Sequence, residues 1–127
     1  MSPTIELELT QEFYFESAHT LQRSHDAESS SRVHGHTYHA EVTVCGEPDA
    51  SSGMVVDLGT LRAHICVVRA MLDHRLLNEV DGLGCPTIEN LALFIGRSLK
   101  ALEPRVVAIR VGRRASGDSC YFRLPPG

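Results

Sequence analysis

The sequence predicts an α+β domain in which two helices cover one face of a four-stranded antiparallel sheet, in the chain order ββααββ. Apolar residues alternate with polar ones in two early and two late stretches, and they recur every three or four residues in two stretches between. No proline-, glycine- or serine-rich linker divides the 127 residues, so 1–127 reads as a single domain. With 43 % apolar and 22 % charged residues, a chain of this size buries a core without disulfide staples.

The first strand rests on Ile5, Leu7, Leu9, Phe13 and Phe15, which alternate with Glu6, Glu8 and Glu12 as in a strand with one wet face. Residues 20–31 are polar, end in Ser29-Ser30-Ser31 and are expected to form a loop. Tyr38, Ala40, Val42 and Val44 alternate with His39, Glu41 and Thr43 as a second strand, closed by Gly46-Glu47-Pro48-Asp49. The two strands are expected to pair as a long antiparallel hairpin. Leu58, Leu61, Ile65, Val68 and Leu72 form a helical stripe, with Asp57 as its N-cap and an end near His74. Pro86-Thr87 opens a second helix, Ile88, Leu91, Ile95, Leu99 and Leu102 stripe it, and Pro104 stops it. Val107, Ile109 and Val111 alternate with Arg110 as a third strand; after Gly117-Asp118, Cys120, Phe122 and Leu124 alternate with Tyr121 and Arg123 as a fourth. Two helices cover only one face, leaving sheet edges and a bare surface, so a homo-oligomer is expected.

Charge and composition exclude several classes. Twelve Lys and Arg against 16 Asp and Glu give a net charge of −4, and the cluster Arg110, Arg113, Arg114 is too small to hold nucleic acid alone. No apolar stretch approaches the roughly 20 residues that span a bilayer, and the N-terminus lacks a charged-then-apolar signal pattern. No nucleic acid, no membrane and a cytoplasmic location are therefore expected. Cys45, Cys66, Cys85 and Cys120 form no C-x-x-C pair, which leaves no zinc ribbon or thioredoxin motif; they are expected to be buried, reduced thiols.

Histidine carries the chemistry. His34 and His36, two residues apart in an extended chain, put both imidazoles on one side, and Gly35 between them leaves room for a ligand or a backbone. His19 ends the first strand at the same end of the hairpin, so the three rings are expected to converge. Three neutral imidazoles suit Zn²⁺, and three protein ligands rather than four leave the open position of a catalytic site. The alternative, from the residues alone, is three histidines with no metal.

In order and spacing, five motifs resemble those of the 6-pyruvoyl-tetrahydropterin and 6-carboxy-tetrahydropterin synthases: Phe13-x-Phe15-x-x-Ala18-His19, His34-Gly35-His36-x-Tyr38, Gly53-Met54-Val55-x-Asp57-Leu58, Leu72-Asp73-His74-x-x-Leu77-Asn78 and Pro86-Thr87-x-Glu89-Asn90-Leu91-Ala92. The resemblance runs from about Phe13 to Phe122. It implies the T-fold, whose subunits close a trimeric barrel that is usually paired into a hexamer, with active sites between subunits. It also implies zinc on His19, His34 and His36, where the side-chain oxygens of dihydroneopterin triphosphate bind and the adjacent carbon becomes easier to deprotonate. The family moves protons with a cysteine four residues before the first histidine of H-G-H and with the Asp73-His74 pair. A carboxylate beside an imidazole fixes its tautomer and stabilises its charged form. On its own the pair reads as a solvated helix end. Thr87 and Glu89 fall in the family's pocket-lining stretch; alone they read as an N-cap and a favourable first-turn acid.

Two positions depart from the family pattern. Ser30 stands where the cysteine is expected, and a hydroxyl is far harder to ionise than a thiol of pKa ≈ 8.5. Glu28, Asp26 or His25 would replace it if the loop is shifted; otherwise the serines are simply a flexible loop. Val111-Gly112-Arg113-Arg114 stands where V-x-E-T is expected, placing Arg113 where a glutamate accepts hydrogen bonds from the pterin edge. Arginine is donor-only and permanently cationic, and its natural partner is a carboxylate or phosphate. Strand parity turns Arg113 inward with Val107, Ile109 and Val111; the alternative is a solvated basic strand end. The expectation is a zinc-dependent lyase or synthase acting on an altered, small anionic hydroxy-carbonyl or diol. In it His74, backed by Asp73, shifts protons for elimination, tautomerisation or retro-aldol cleavage, and Arg113 grips the anionic end. The alternatives are a genuine pterin synthase with a replacement base and a non-catalytic metal-dependent binding subunit.

Overall fold

A computed structural model describes residues 4–126 and shows β1 (Leu7–His19), α1 (Ala27–Ser31), β2 (His34–Gly46), α2 (Leu58–Ala70), a 3₁₀ turn (Leu77–Glu79), α3 (Ile88–Leu102), β3 (Val106–Arg113) and β4 (Asp118–Arg123). The strands lie in the order β1-β2-β3-β4, every neighbour antiparallel. The hairpin pairs without a break from Leu7↔Gly46 to His19↔His34, so the two-residue alternation carries through the whole ladder. Phe15, Ser17 and His19 of β1 and Tyr38, Ala40, Val42 and Val44 of β2 are buried on one face. Tyr14 and His39, paired across the ladder, stand on the other.

The core forms where that buried face meets the helices. Leu61, Ile65 and Val68 of α2 and Leu91, Ala92, Ile95 and Leu99 of α3 pack on Phe15, Tyr38, Val42, Ile109 and Val111. Burying each large aliphatic side chain contributes about 1.5–3 kcal/mol. The helices start where their caps dictate. Asp57 accepts from the Gly59 and Thr60 amides at 2.7 and 3.3 Å, and the Thr87 hydroxyl accepts from the Asn90 amide at 3.1 Å. Gly96 lets α3 lie directly on β3 and β4: a Cβ there would stand 2.9 Å from the Phe122 ring and 3.1 Å from Ile109.

The structure corrects the sequence reading in five places. First, α2 stops at Ala70 rather than near His74; Leu72 is buried as expected, but from a turn. The cause is the outer edge of β1, whose backbone groups need partners. There Ser17 Oγ donates to the Leu72 carbonyl, Glu16 N to Asp73 Oδ1 (2.9 Å), His74 N to the Glu16 carbonyl (2.6 Å) and Ala18 N to the Arg75 carbonyl (2.9 Å). His74 takes a left-handed φ of 56° to do this. Second, the polar stretch before β2 is not all loop, since α1 forms within it. The hydroxyls of Ser29, Ser30 and Ser31 donate to the Asp26, Ala27 and Glu28 carbonyls one turn back. Third, Ile5 and Leu7 belong to the apolar alternation yet are 60 % and 47 % exposed. Fourth, none of the four cysteines is fully buried: Cys66 and Cys85 are exposed, Cys45 and Cys120 half-buried, and all are free. Finally, no backbone packs tightly against Gly35, since a Cβ there would meet only the Ser17 carbonyl, at 3.6 Å; the room it leaves opens on a hollow lined by His36. Among the described residues, no helix is long and apolar enough to cross a membrane.

Candidate metal centre and active site

Because β1 and β2 pair to their ends, His19 and His34 face each other across the last rung, and His36 lies one side-chain period further along. The Nε2 atoms converge: that of His19 is 2.9 Å from that of His34 and 3.1 Å from that of His36. The opposite nitrogens of two rings are anchored. His19 Nδ1 donates to the Pro86 carbonyl at 2.9 Å, with the Tyr38 hydroxyl oxygen 3.3 Å away, and His34 Nδ1 donates to the Arg32 carbonyl at 2.8 Å. A carbonyl can only accept, so in both rings the proton sits on Nδ1 and the lone pair on Nε2. Two lone pairs aimed at each other across 2.9 Å repel unless a cation lies between them. The donor set therefore fits a metal ion, the carbonyls fixing tautomer and ring orientation.

Electrostatics favour the ligating state. Burial, assisted by His34 and Arg113, holds the His19 pKa below its ordinary value against the opposing Pro86 hydrogen bond. The His36 pKa is pushed down to about 4, by burial first and then by Arg113 and the other two rings. Burial lifts Tyr38 to about 12, which keeps it a hydroxyl beside His19.

Beside this centre opens a cavity of about 780 Å³, lined by His19, Arg23, Cys85, Thr87, Glu89, Arg113 and Asp118 among others. Arg113 turns inward, as strand parity requires. Its Nη2 donates to Asp118 Oδ2 at 2.8 Å, its Nη1 lies 3.4 Å from His36 Nε2, and its Nε is buried with no partner. Asp118 is held below the usual carboxylate range by the Ser116 hydroxyl first, with Arg113 and Arg23 adding to it. Thr87 and Glu89, expected in the pocket, are there.

A model of the 6-pyruvoyl tetrahydropterin synthase family matches residues 8–123. The chain belongs to this family. The 6-carboxy-5,6,7,8-tetrahydropterin synthase of Synechocystis is 35 % identical over 123 residues, 91 % of this chain and 94 % of that protein. A dihydroneopterin monophosphate aldolase of Pyrococcus furiosus is 34 % identical over 96 residues, 76 % and 77 % of the two chains. Among solved structures, the Caenorhabditis elegans 6-pyruvoyl tetrahydropterin synthase matches with a TM-score of 0.85 at 25 % identity, covering 98 % of this chain and all of that one. The expected T-fold subunit is thus the observed one.

Against this family background, the remaining site residues divide. Asp73 Oδ2 accepts from His74 Nδ1 at 2.9 Å, and Asp73 is held below its ordinary pKa mainly by the Glu16 amide. The pair is intact, but His74 is 75 % exposed and lines a second hollow of about 580 Å³ with His36, Glu16, Thr37 and Arg75 rather than the large cavity. Ser30 and Glu28 are not brought in. Ser30 is buried with its hydroxyl on the Ala27 carbonyl, and the 88 % exposed Glu28 pairs with Arg32 at 2.8 Å. Asp26 and His25 pair with each other on the surface at 3.3 Å. The sequence reading missed Arg23, Asp118 and Cys85 as cavity residues: the first lies in an aperiodic polar stretch, the second resembles a turn residue and the third a stray thiol.

Proposed function

We propose that this family member is a zinc-dependent lyase or synthase whose substrate is not the usual pterin but a small anionic hydroxy-carbonyl or diol. The observation that carries this reading is Arg113, a fixed cation inside the cavity where the family resemblance calls for an acceptor. A pterin in the usual pose would lose a charge-assisted hydrogen bond there, about 1.5–3 kcal/mol. Zinc on His19, His34 and His36 supplies Lewis acidity toward a hydroxyl or carbonyl oxygen. Arg113, supported by Arg23, orients the anionic end; Thr87 and Glu89 line the same cavity. Ser30 and Glu28 stay out of the cavity, and proton transfer is assigned to His74, whose tautomer Asp73 fixes and which reaches the chemistry from the hollow it shares with His36 or from a neighbouring subunit. A relative named an aldolase supports carbon–carbon cleavage as one outcome of the same chemistry.

The assignment includes a homo-oligomer, trimer or hexamer, in the cytoplasm. Supporting it are the outer edge of β1 before Tyr14, which pairs with no strand, and the bare sheet face, where His39 Nδ1 is buried without a partner among the described residues. An exposed His74 then serves the cavity of a neighbouring subunit.

A second reading, a pterin synthase in a new pose, is favoured by Glu89, a carboxylate acceptor within the cavity. Calorimetric titration of the zinc-loaded protein with neopterin separates the two. The first reading expects no binding by the wild type and binding by Arg113→Glu; tight binding by the wild type establishes the second.

A further inference from the structure

We propose that Arg113 and the three-histidine centre hold one ligand between them, a compact oxyanion that touches both the metal ion and the guanidinium, so that metal and anion each tighten the other. This rests on the metal-centre reading above. Arg113 Nη1 lies 3.4 Å from His36 Nε2, the atom that would ligate. A guanidinium has no lone pair to offer an ion and cannot lose its charge, so alone it opposes metal binding. Asp118 offsets this only in part, because the same Oδ2 also accepts from Ser116 Oγ at 2.9 Å and the side chain is half exposed. Arg23 adds a second positive charge to the same cavity. Arg113 nonetheless keeps donor capacity facing inward: Nε has no partner, and Nη1 has only the ring nitrogen that a metal would claim.

These features suit a ligand whose anionic group would reach Arg113 while a neighbouring oxygen faces the three imidazoles, as in an α-hydroxycarboxylate or a phosphate. A neutral diol or a remote charge would leave the metal ion and Arg113 with only the partial compensation of Asp118 and Glu89. Because coupling is reciprocal, the metal's affinity reports on the anion.

The test measures zinc affinity of the full chain by competition with a chromophoric chelator at constant ionic strength, without added anion, with inorganic phosphate and with glycolate. Wild type is expected to bind zinc on the order of tenfold more tightly with at least one of these anions, and the stronger one identifies phosphate or carboxylate as the source. Arg113→Gln is expected to bind zinc alone on the order of tenfold more tightly than wild type and to gain nothing from either anion. Arg113→Lys, which keeps the charge, should retain a reduced anion effect and so separates lost charge from a disturbed fold. No anion effect in wild type, or the same effect in Arg113→Gln, overturns the proposal while leaving the metal centre standing. Absence of stoichiometric zinc from wild type overturns the metal centre itself.

Discussion

The His19 and His34 rings are held by carbonyls outside their own strands, whereas the side chains of Ser30 and Glu28 bond only within or next to their own short helix. The imidazoles stand on paired strands, with one nitrogen anchored to a carbonyl from a distant or neighbouring segment and the other facing the centre. The hydroxyl of Ser30 and the carboxylate of Glu28 bond no further than four residues away, to Ala27 and Arg32. The placement of the three imidazoles is therefore set first by the sheet, through a register of thirteen rungs, and then by the Pro86 and Arg32 carbonyls, whereas the side chains of Ser30 and Glu28 touch none of the three rings.

The largest effect should come from breaking the sheet-borne side. His19→Ala and His34→Ala are expected to abolish stoichiometric zinc, read by metal analysis after dialysis; retained zinc in either would end the three-histidine assignment. His19→Ala should also lower stability by about 1–3 kcal/mol in urea unfolding, because it strands the Pro86 carbonyl and leaves a hole beside Tyr38. Next in size, His74→Ala should keep its zinc and lose about 10²–10⁴-fold in turnover, the span of a general acid–base group. Unchanged turnover would remove His74 from the chemistry and assign proton transfer to another group.

Asp73 links the two sides, since its carboxylate holds both the β1 edge and His74. Its folded pKa is depressed, by the Glu16 amide above all, so its stabilisation is complete above the unfolded value of about 3.9 and is lost as pH falls through the lower folded value. Asp73→Asn should cost about 1 kcal/mol at neutral pH, where the charged acceptor is present. In unfolding measurements the gap to wild type should close at more acidic pH; a gap that is independent of pH would show that shape rather than charge holds the edge.

The same contrast explains what could be read before any coordinates. All four strands, both long helices and the convergence of His19, His34 and His36 follow from local periodicity and from the equal reach of two paired strands. Arg113 facing inward follows from strand parity alone. What escaped was set by contacts distant in sequence or by hydrogen bonds that leave no periodic trace. The end of α2 is decided by the edge of a strand more than fifty residues earlier, through Glu16 and Asp73. The serines that form α1 read equally well as loop, because each hydroxyl can bond its own backbone in either state. Arg23 and Asp118 become cavity residues only once the β3–β4 turn and the chain after β1 come together.

The smallest expected effect lies on α1. Glu28 makes an exposed i,i+4 pair with Arg32, and such pairs contribute about 0.3–0.5 kcal/mol. Glu28→Gln should therefore stay within about 0.5 kcal/mol of wild type in stability, with zinc content and turnover unchanged. The informative departure is a fall in turnover with zinc and stability intact. The Glu28–Arg32 pair would then have to break during the reaction, with α1 carrying the carboxylate toward the metal. In that case the missing thiol is replaced by a group on a moving segment rather than by His74 acting alone, and the difference between a fixed metal site and an exchangeable base becomes part of the catalytic cycle.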